Sequence, residues 1–142
     1  MSSSAKQSSD HWSQWWSQGH ITSFGTALKD NYGGATREFW WQQFARFAEA
    51  DILDIATGNG ALATMAVEFA EVEGKSFTVC ASDLAQIGEP TSAEDPRISQ
   101  WREQITFQGN SPCEQQPFVD GSFDYVLSQY GFEYSDIDAT LA

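Results

Sequence analysis

Residues 51–63, DILDIATGNGALA, combine an apolar run, two glycines and the start of a helical pattern. Gly58 and Gly60 allow the backbone to approach a ligand closely, because glycine has no side chain and adopts left-handed conformations at little cost. A helix that begins directly after them offers unpaired N–H groups and the positive end of its dipole. The segment therefore predicts a ligand-binding turn between a strand and a helix.

An acidic residue, Asp83, follows the next apolar run and lies 23 positions after Gly60. A carboxylate at this spacing, at the end of the neighbouring parallel strand, is placed to bind the two hydroxyls of a ribose. The glycine turn and Asp83 together predict a site for a nucleoside cofactor at the carboxyl-end edge of a parallel sheet.

The type of cofactor depends on a second carboxylate. The six residues GNGALA fit the pattern G-x-G-x-x-A, so a dinucleotide such as NAD(P) is an allowed ligand, as is a turn that binds nothing. Asp54, four residues before Gly58, favours a different ligand. A carboxylate beneath the loop would hold backbone N–H groups or a cationic amino group, and it would repel a pyrophosphate.

With that carboxylate, the segment resembles the first motif of the class I S-adenosylmethionine-dependent methyltransferases, D-x-G-x-G-x-G. It begins at Asp54 and carries Ala56 in place of the first glycine, a departure that adds only a methyl group. The resemblance implies S-adenosyl-L-methionine as the cofactor. It further implies that the loop, including Thr57, Gly58 and Gly60, holds the methionine half of this cofactor.

Two further motifs extend the resemblance toward the nucleoside half of the cofactor. In ASDLA, Asp83 matches the acidic residue that binds both ribose hydroxyls, and Leu84 would contact adenine. In FQGNS, Asn110 and Ser111 match the position whose side chain usually binds the adenine amino group.

A third segment, residues 117–134, resembles the fourth strand of the family, where P-F-x-D-x-S-F-D-x-V is frequent. Gln129 at its end would face the methionine part of the cofactor and the acceptor. Tyr130 is a candidate acceptor contact for the same reason. Tyr32, in the loop 29–34, is a second candidate acceptor contact and would lie near the methyl group.

The resemblance implies in-line transfer of a methyl group to a small molecule, and the layout is loosely similar to the ubiquinone/menaquinone-biosynthesis methyltransferases. The electrophile is already activated by its positive charge, so the protein mainly aligns the acceptor and excludes water. No catalytic residue is named on this basis. Two alternatives stay open: an NAD(P)-binding oxidoreductase domain, and a non-enzymatic cofactor-binding module or inactive fragment.

The elements that must position these residues alternate between strands and helices, which predicts an α/β fold with a parallel sheet. Strands are predicted over 52–56, 77–81, 105–107 and 123–128, and helices over 36–50, 61–73 and 98–104. Thr36 and Gly74 are the expected N-cap and C-terminal stop of the first two helices. The resemblance implies a Rossmann-like three-layer αβα domain over 51–142, with strand order 3-2-1-4 and no strand after the fourth, and residues 136–142 look like the opening of another helix. The fourth strand would be an exposed edge and favours self-association.

The segment before the glycine turn is rich in aromatic residues. Residues 1–10 are polar and predicted to be disordered, whereas Trp12, Trp15 and Trp16 share one helical face. Residues 11–50 then form either a helical lid over cofactor and acceptor or two helices that pack on the sheet. His20 is a candidate general base, although a surface histidine is the more common finding.

The composition of the chain excludes several classes of partner, binding site and location. The 142 residues contain 7 Lys+Arg against 20 Asp+Glu, a net charge of −13, so no nucleic-acid partner is expected. Two cysteines and two histidines without ligand spacing predict neither a disulfide framework nor a metal site. No run approaches the ~18 apolar residues of a membrane span, and the polar N-terminus lacks the apolar core of a secretory signal, so a cytoplasmic enzyme is expected.

Overall fold

A parallel four-stranded sheet forms the centre of the computed structural model, which describes residues 3–18, 21–22, 31–85, 87, 95–131, 133 and 135–141. The strand order is β3-β2-β1-β4, as the resemblance implies. In the central strand, Leu53 pairs with Cys80 on one side and with Val126 on the other. The strands are β1 (Glu49–Asp54), β2 (Ser76–Ser82), β3 (Ile105–Gln108) and β4 (Tyr125–Leu127).

Five helices surround this sheet in the described part of the chain: α1 (Ser3–Ser17), α2 (Gly34–Phe44), α3 (Ala61–Glu73), α4 (Pro96–Arg102) and α5 (Ile137–Leu141). The bounds of α3 are those predicted, and Gly74 ends it with a left-handed φ of 67°. None of these helices is long and apolar enough to cross a membrane.

The sequence-based boundaries of α2 and β1 are wrong. Ala50 is predicted to lie in a helix, yet it pairs with Phe77 of β2, so sheet pairing overrides the helical pattern. The predicted cap Thr36 lies inside α2, and the N-cap is Gly33 in an extended conformation without a side-chain cap bond. β4 is also shorter than predicted, because only Tyr125–Leu127 pair with β1.

The segment between β2 and β3 differs from its predicted layout at one end. The predicted loop 86–97 lies mostly outside the described residues, but its last residues belong to α4. The Asp95 carboxylate caps this helix by accepting the N–H of Arg97 at 3.0 Å, and Pro96 occupies the first turn. This combination of cap and proline is a common helix start.

A helix is found where the sequence predicts a disordered tail. α1 begins at Ser3 and so covers residues 3–10 as well as the tryptophan segment. Once Trp16, which is 7% exposed, anchors the C-terminal part, each residue added upstream adds one backbone hydrogen bond. His20, the candidate general base, lies outside the described residues.

The aromatic residues of α2 pack into the core. Phe44 is fully buried, and its ring contacts those of Phe69 on α3 and Phe77 on β2. On the outer side of the contact with α3, Arg37 forms a bidentate ion pair with Glu68, both N···O distances being 2.8 Å. For α2, therefore, the packing alternative is the correct one.

Candidate functional site

A cleft that is open to solvent lies at the carboxyl ends of the strands. This is where open parallel sheets bind their ligands. Five segments line it: Trp12 and Trp16 of α1, Ala56 after β1, Asp83 and Leu84 after β2, Pro112, Cys113 and Glu114 after β3, and Tyr130, Gly131 and Ser135 after β4.

The glycine-rich loop after β1 has the predicted form. Gly58 and Gly60 have left-handed φ angles of 58° and 86°. A Cβ on Gly58 would come within 2.4 Å of the Trp16 ring, and one on Gly60 within 2.8 Å of the Phe107 ring. Both positions therefore require glycine for conformation and for space.

Asp54 holds this loop from below and does not line the cleft. Its buried carboxylate accepts the Thr57 hydroxyl proton at 2.5 Å. Burial raises the pKa of Asp54 to about 7, against the opposing effect of hydrogen bonds from Thr57 and the Ala63 backbone. The Asp54 carboxyl group thus bonds to the loop, and its role as a cofactor-binding residue stays a prediction.

Asp83 connects the second motif to the first. Its Oδ2 accepts the N–H of Gly58 at 2.8 Å, and its Oδ1 accepts the N–H of Ala85 at 2.9 Å. The side chain also lines the cleft. Burial raises its pKa. A carboxylate offers about four acceptor sites, so capacity remains for a hydroxyl group on the cleft side.

Ala56 shows that the departure from the glycine motif is more than an added methyl group. Its φ is 52°, in the left-handed region that alanine adopts only at a cost of about 1 kcal/mol. The expectation that Ala56 differs from glycine only by a methyl group is therefore wrong, because its backbone conformation also costs free energy. The loop keeps the backbone conformation of the motif although the residue disfavours it.

Ala56→Gly is expected to raise the free energy of unfolding by up to about 1 kcal/mol, since glycine adopts this φ without strain. Urea denaturation of both proteins measures the change. Ala45→Gly is the matched control: Ala45 has a right-handed φ of −62°, so glycine there should destabilise. Equal destabilisation by the two substitutions would contradict the strain at Ala56.

In the loop after β3, the residues that line the cleft come slightly further along the sequence than predicted. Asn110 is exposed and does not line the cleft. Ser111 is buried, donating its N–H to the Asp83 carbonyl at 2.8 Å and its hydroxyl to the Gly109 carbonyl at 3.2 Å. The residues of this loop that line the cleft are the next three, Pro112, Cys113 and Glu114, which the sequence analysis missed. Among them, burial and the nearby Glu114 raise the pKa of Cys113 to about 11, which keeps it a thiol.

Gln129 is placed differently from the prediction. Its Oε1 accepts the Trp40 indole N–H at 2.6 Å, so the side chain joins the end of β4 to α2 and does not line the cleft. The next two residues take that place. Tyr130 lines the cleft, and a Cβ on Gly131, another missed residue, would lie 2.4 Å from the Cβ of Ala56.

The two tyrosines predicted to contact the acceptor are brought together. Their rings meet edge to face, with centroids 5.8 Å apart. Tyr130 is 49% exposed at the cleft, whereas Tyr32 is 7% exposed and lies behind it. Burial, with the charge of nearby Asp54, raises the pKa of Tyr32 well above its ordinary value, so its phenol stays protonated.

The tryptophans of α1 are site residues that the sequence analysis described but did not assign. Trp12 and Trp16 stack with centroids 5.9 Å apart, and both line the cleft. Asn59 fixes α1 to the glycine-rich loop by donating its side-chain N–H to the Trp16 carbonyl at 2.9 Å. The i, i+4 spacing of Trp12 and Trp16 was the sequence signal that could have identified them as site residues. α1 thus lies over the loop, as the lid alternative requires.

A buried arginine supports the same loop from the opposite direction. Arg102 donates its Nε–H to the Asn59 carbonyl at 3.1 Å, and its guanidinium lies 5.2 Å from the Phe107 ring centre. Nothing in the sequence marks this residue, since a basic residue in the last turn of a helix normally faces solvent.

The lining of the cleft is negatively charged. It includes the carboxyl groups of Asp83 and Glu114, and among the described residues that line it none is Lys, Arg or His. Such a lining disfavours a pyrophosphate and suits a neutral or cationic ligand. Within the described ranges, no group of three or more His, Cys, Asp or Glu side chains is arranged to hold a metal ion.

Comparison with solved structures identifies this architecture. A crystal structure from Methanococcus maripaludis, assigned as an S-adenosyl-L-methionine-dependent methyltransferase, superimposes with a TM-score of 0.51 at 14% identity. The fold is the Rossmann-like methyltransferase fold. The match covers 75% of this chain and 46% of the other.

A sequence relative agrees with this methyltransferase fold. The ubiquinone/menaquinone biosynthesis C-methyltransferase UbiE of Geotalea uraniireducens (strain Rf4) is 35% identical in an alignment 96 residues long that covers 64% of this chain. The aligned part is 39% of the relative's length, so the chain spans less than half of either protein. No protein-family model matches the chain. The sequence match agrees with the resemblance drawn from the motifs, and the structural match confirms the predicted fold.

Proposed function

We propose that this chain binds S-adenosyl-L-methionine in the cleft and serves in methyl transfer to a small molecule. The observation that carries the proposal is the position of Asp83. One carboxylate lines the cleft and also accepts the N–H of Gly58, so the nucleoside-binding residue and the glycine-rich loop form one site. The fold and the sequence relative support the same reading.

The residues of the cleft fit this cofactor. Asp83 would hold the ribose hydroxyls and Leu84 would contact the adenine, while the loop from Ala56 to Gly60 would hold the methionine part. The acidic lining suits a ligand that carries a positive sulfonium.

The chain's own residues then have to orient an acceptor and exclude water. When bound, the cofactor supplies a methyl group on a positively charged sulfur. Tyr130 presents its phenol at the cleft and is placed to orient an acceptor by a hydrogen bond. Tyr32 packs behind it and fixes its ring. Trp12 and Trp16 line the same cleft and would shield part of it from water.

The acceptor in this proposal is a small molecule. The relative is named a C-methyltransferase, which makes a carbon acceptor the first class to test. The acidic lining and the net charge of −13 both argue against nucleic-acid acceptors, because negative charge repels the phosphate backbone.

Isothermal titration of the 142-residue chain with S-adenosylhomocysteine, with NADH in parallel, tests the cofactor. Saturable binding of S-adenosylhomocysteine alone is expected, because the two carboxylates at the cleft repel a pyrophosphate. Binding of NADH alone would replace the proposal by an oxidoreductase domain. Binding of neither ligand by a cooperatively folded chain would contradict it.

We further propose that the chain self-associates through β4. This strand is at the edge of the sheet, and Val126 on it is 53% exposed. Sedimentation velocity should show dimers or larger species, and Val126→Lys should reduce them, because a charged residue blunts an edge strand. A monodisperse monomer at all concentrations would contradict this proposal.

A further inference from the structure

The stacked pair Trp12–Trp16 covers the part of the glycine-rich loop that faces the cleft. Three atoms of the Trp16 ring lie within 2.4–2.8 Å of where a Cβ on Gly58 would be, so the ring contacts the bare backbone of that residue. Trp16 is 7% exposed, and Trp12 stacks on it at an interplanar angle of 21°. Both tryptophans line the cleft, and the contact with the loop holds Trp16 in place.

The same cleft has an acidic lining. Asp83 and Glu114 line it, and Glu114 is fixed by accepting the N–H of Asp136 at 2.8 Å. A ligand in this cleft therefore has two carboxyl groups and two indole rings among its neighbours. Both attract positive charge, and tryptophan is the strongest aromatic partner of a cation.

We propose that Trp12 and Trp16 are ligand-contacting residues that make the cleft favour a positively charged cofactor over its neutral product. The proposal rests on the proposed function and deepens it, since loss of the methyl group removes the positive charge from the sulfur. The tryptophan pair then contributes to binding of the donor more than to binding of the product. Release of the product is favoured for the same reason.

Two probes separate charge from shape. Sinefungin carries a protonated amine where S-adenosylmethionine carries its sulfonium, whereas S-adenosylhomocysteine is neutral at that position. Titration calorimetry measures the dissociation constants of both probes on the wild-type chain, Trp16→Leu and Trp12→Leu. The expected result is about tenfold weaker binding of sinefungin by Trp16→Leu, with a clearly smaller change for S-adenosylhomocysteine.

Trp41→Leu is the matched control. Trp41 is a partly buried tryptophan on α2 that packs on Phe69 and does not line the cleft. Its replacement should change the dissociation constants of both probes by the same small factor. Circular dichroism melts confirm that each variant is folded at the titration temperature, and Trp12→Leu removes the less buried member of the pair if Trp16→Leu fails to fold.

The possible outcomes are distinct. Equal weakening of both probes would overturn the preference for charge, and unchanged binding would overturn the contact itself. Tighter binding by Trp16→Leu would also overturn the proposal, because the indole would then block the loop. Failure of the wild-type chain to bind either probe would instead contradict the proposed function, so the two failures are distinguishable.

Discussion

Asp83→Ala is expected to weaken binding of S-adenosylhomocysteine by about 100-fold or more. The substitution removes the hydrogen bond from a ribose hydroxyl to a carboxylate, worth about 1.5–3 kcal/mol because the acceptor is charged. It also removes the acceptor of the Gly58 N–H, so the glycine-rich loop loses its link to the end of β2. Titration calorimetry measures the change in the dissociation constant.

Two further variants make the Asp83 result specific. Asp83→Asn retains one acceptor oxygen without the charge, and its affinity should fall between those of the wild type and Asp83→Ala. Asp120→Ala changes an exposed residue of a turn outside the cleft and should leave binding unchanged. Wild-type affinity in Asp83→Ala would exclude this carboxylate from the cofactor site.

The parts of the site that local sequence determines were predictable. Gly58 and Gly60 stand between an apolar strand and an apolar helix, and their spacing specifies a turn whatever surrounds it. The bounds of α3 follow for the same reason, because its apolar stripe and the stop at Gly74 lie in one continuous segment. Asp83 was predictable because parallel strands bring their carboxyl ends to one edge.

The rest of the site depends on contacts between distant segments. Gln129 has a suitable side chain at a suitable position, but a tryptophan 89 residues away occupies its oxygen. Trp16 meets Gly58 across 42 positions, and no local pattern distinguishes such a contact from packing on a sheet. Arg102 under Asn59 is a third case, because burial of a basic side chain is set by its neighbours in space.

Asp54→Asn should remove a pH dependence of stability. The pKa of Asp54 is raised from 3.8 to about 7 in the folded chain because the carboxyl group is buried. Below pH 3.8 the carboxyl group is protonated in both the folded and the unfolded chain, so its full contribution to the free energy of unfolding is present. Between these values the unfolded chain releases its proton while the folded chain keeps it. The free energy of unfolding therefore falls as pH rises, by about 4 kcal/mol over the whole window.

The amide that Asp54→Asn introduces is neutral at every pH and can still accept the Thr57 hydroxyl proton. Urea denaturation from about pH 5.5 to about pH 8, above the isoelectric point of about 4.2, measures the difference between variant and wild type. Asp54→Asn should gain about 2 kcal/mol relative to the wild type across this range. Contributions of Asp83, whose pKa is shifted in the same direction, cancel to first order in the comparison.

Asp51→Asn, at an exposed position of the same strand, is the control and should show a constant difference from the wild type. If Asp54→Asn also shows a constant difference, the Asp54 carboxyl group titrates in the folded chain as it does in the unfolded one. Its buried position beneath the glycine-rich loop would then be wrong. A gain for Asp54→Asn alone would mean that, at neutral pH, the loop is held by a carboxylate whose burial opposes folding.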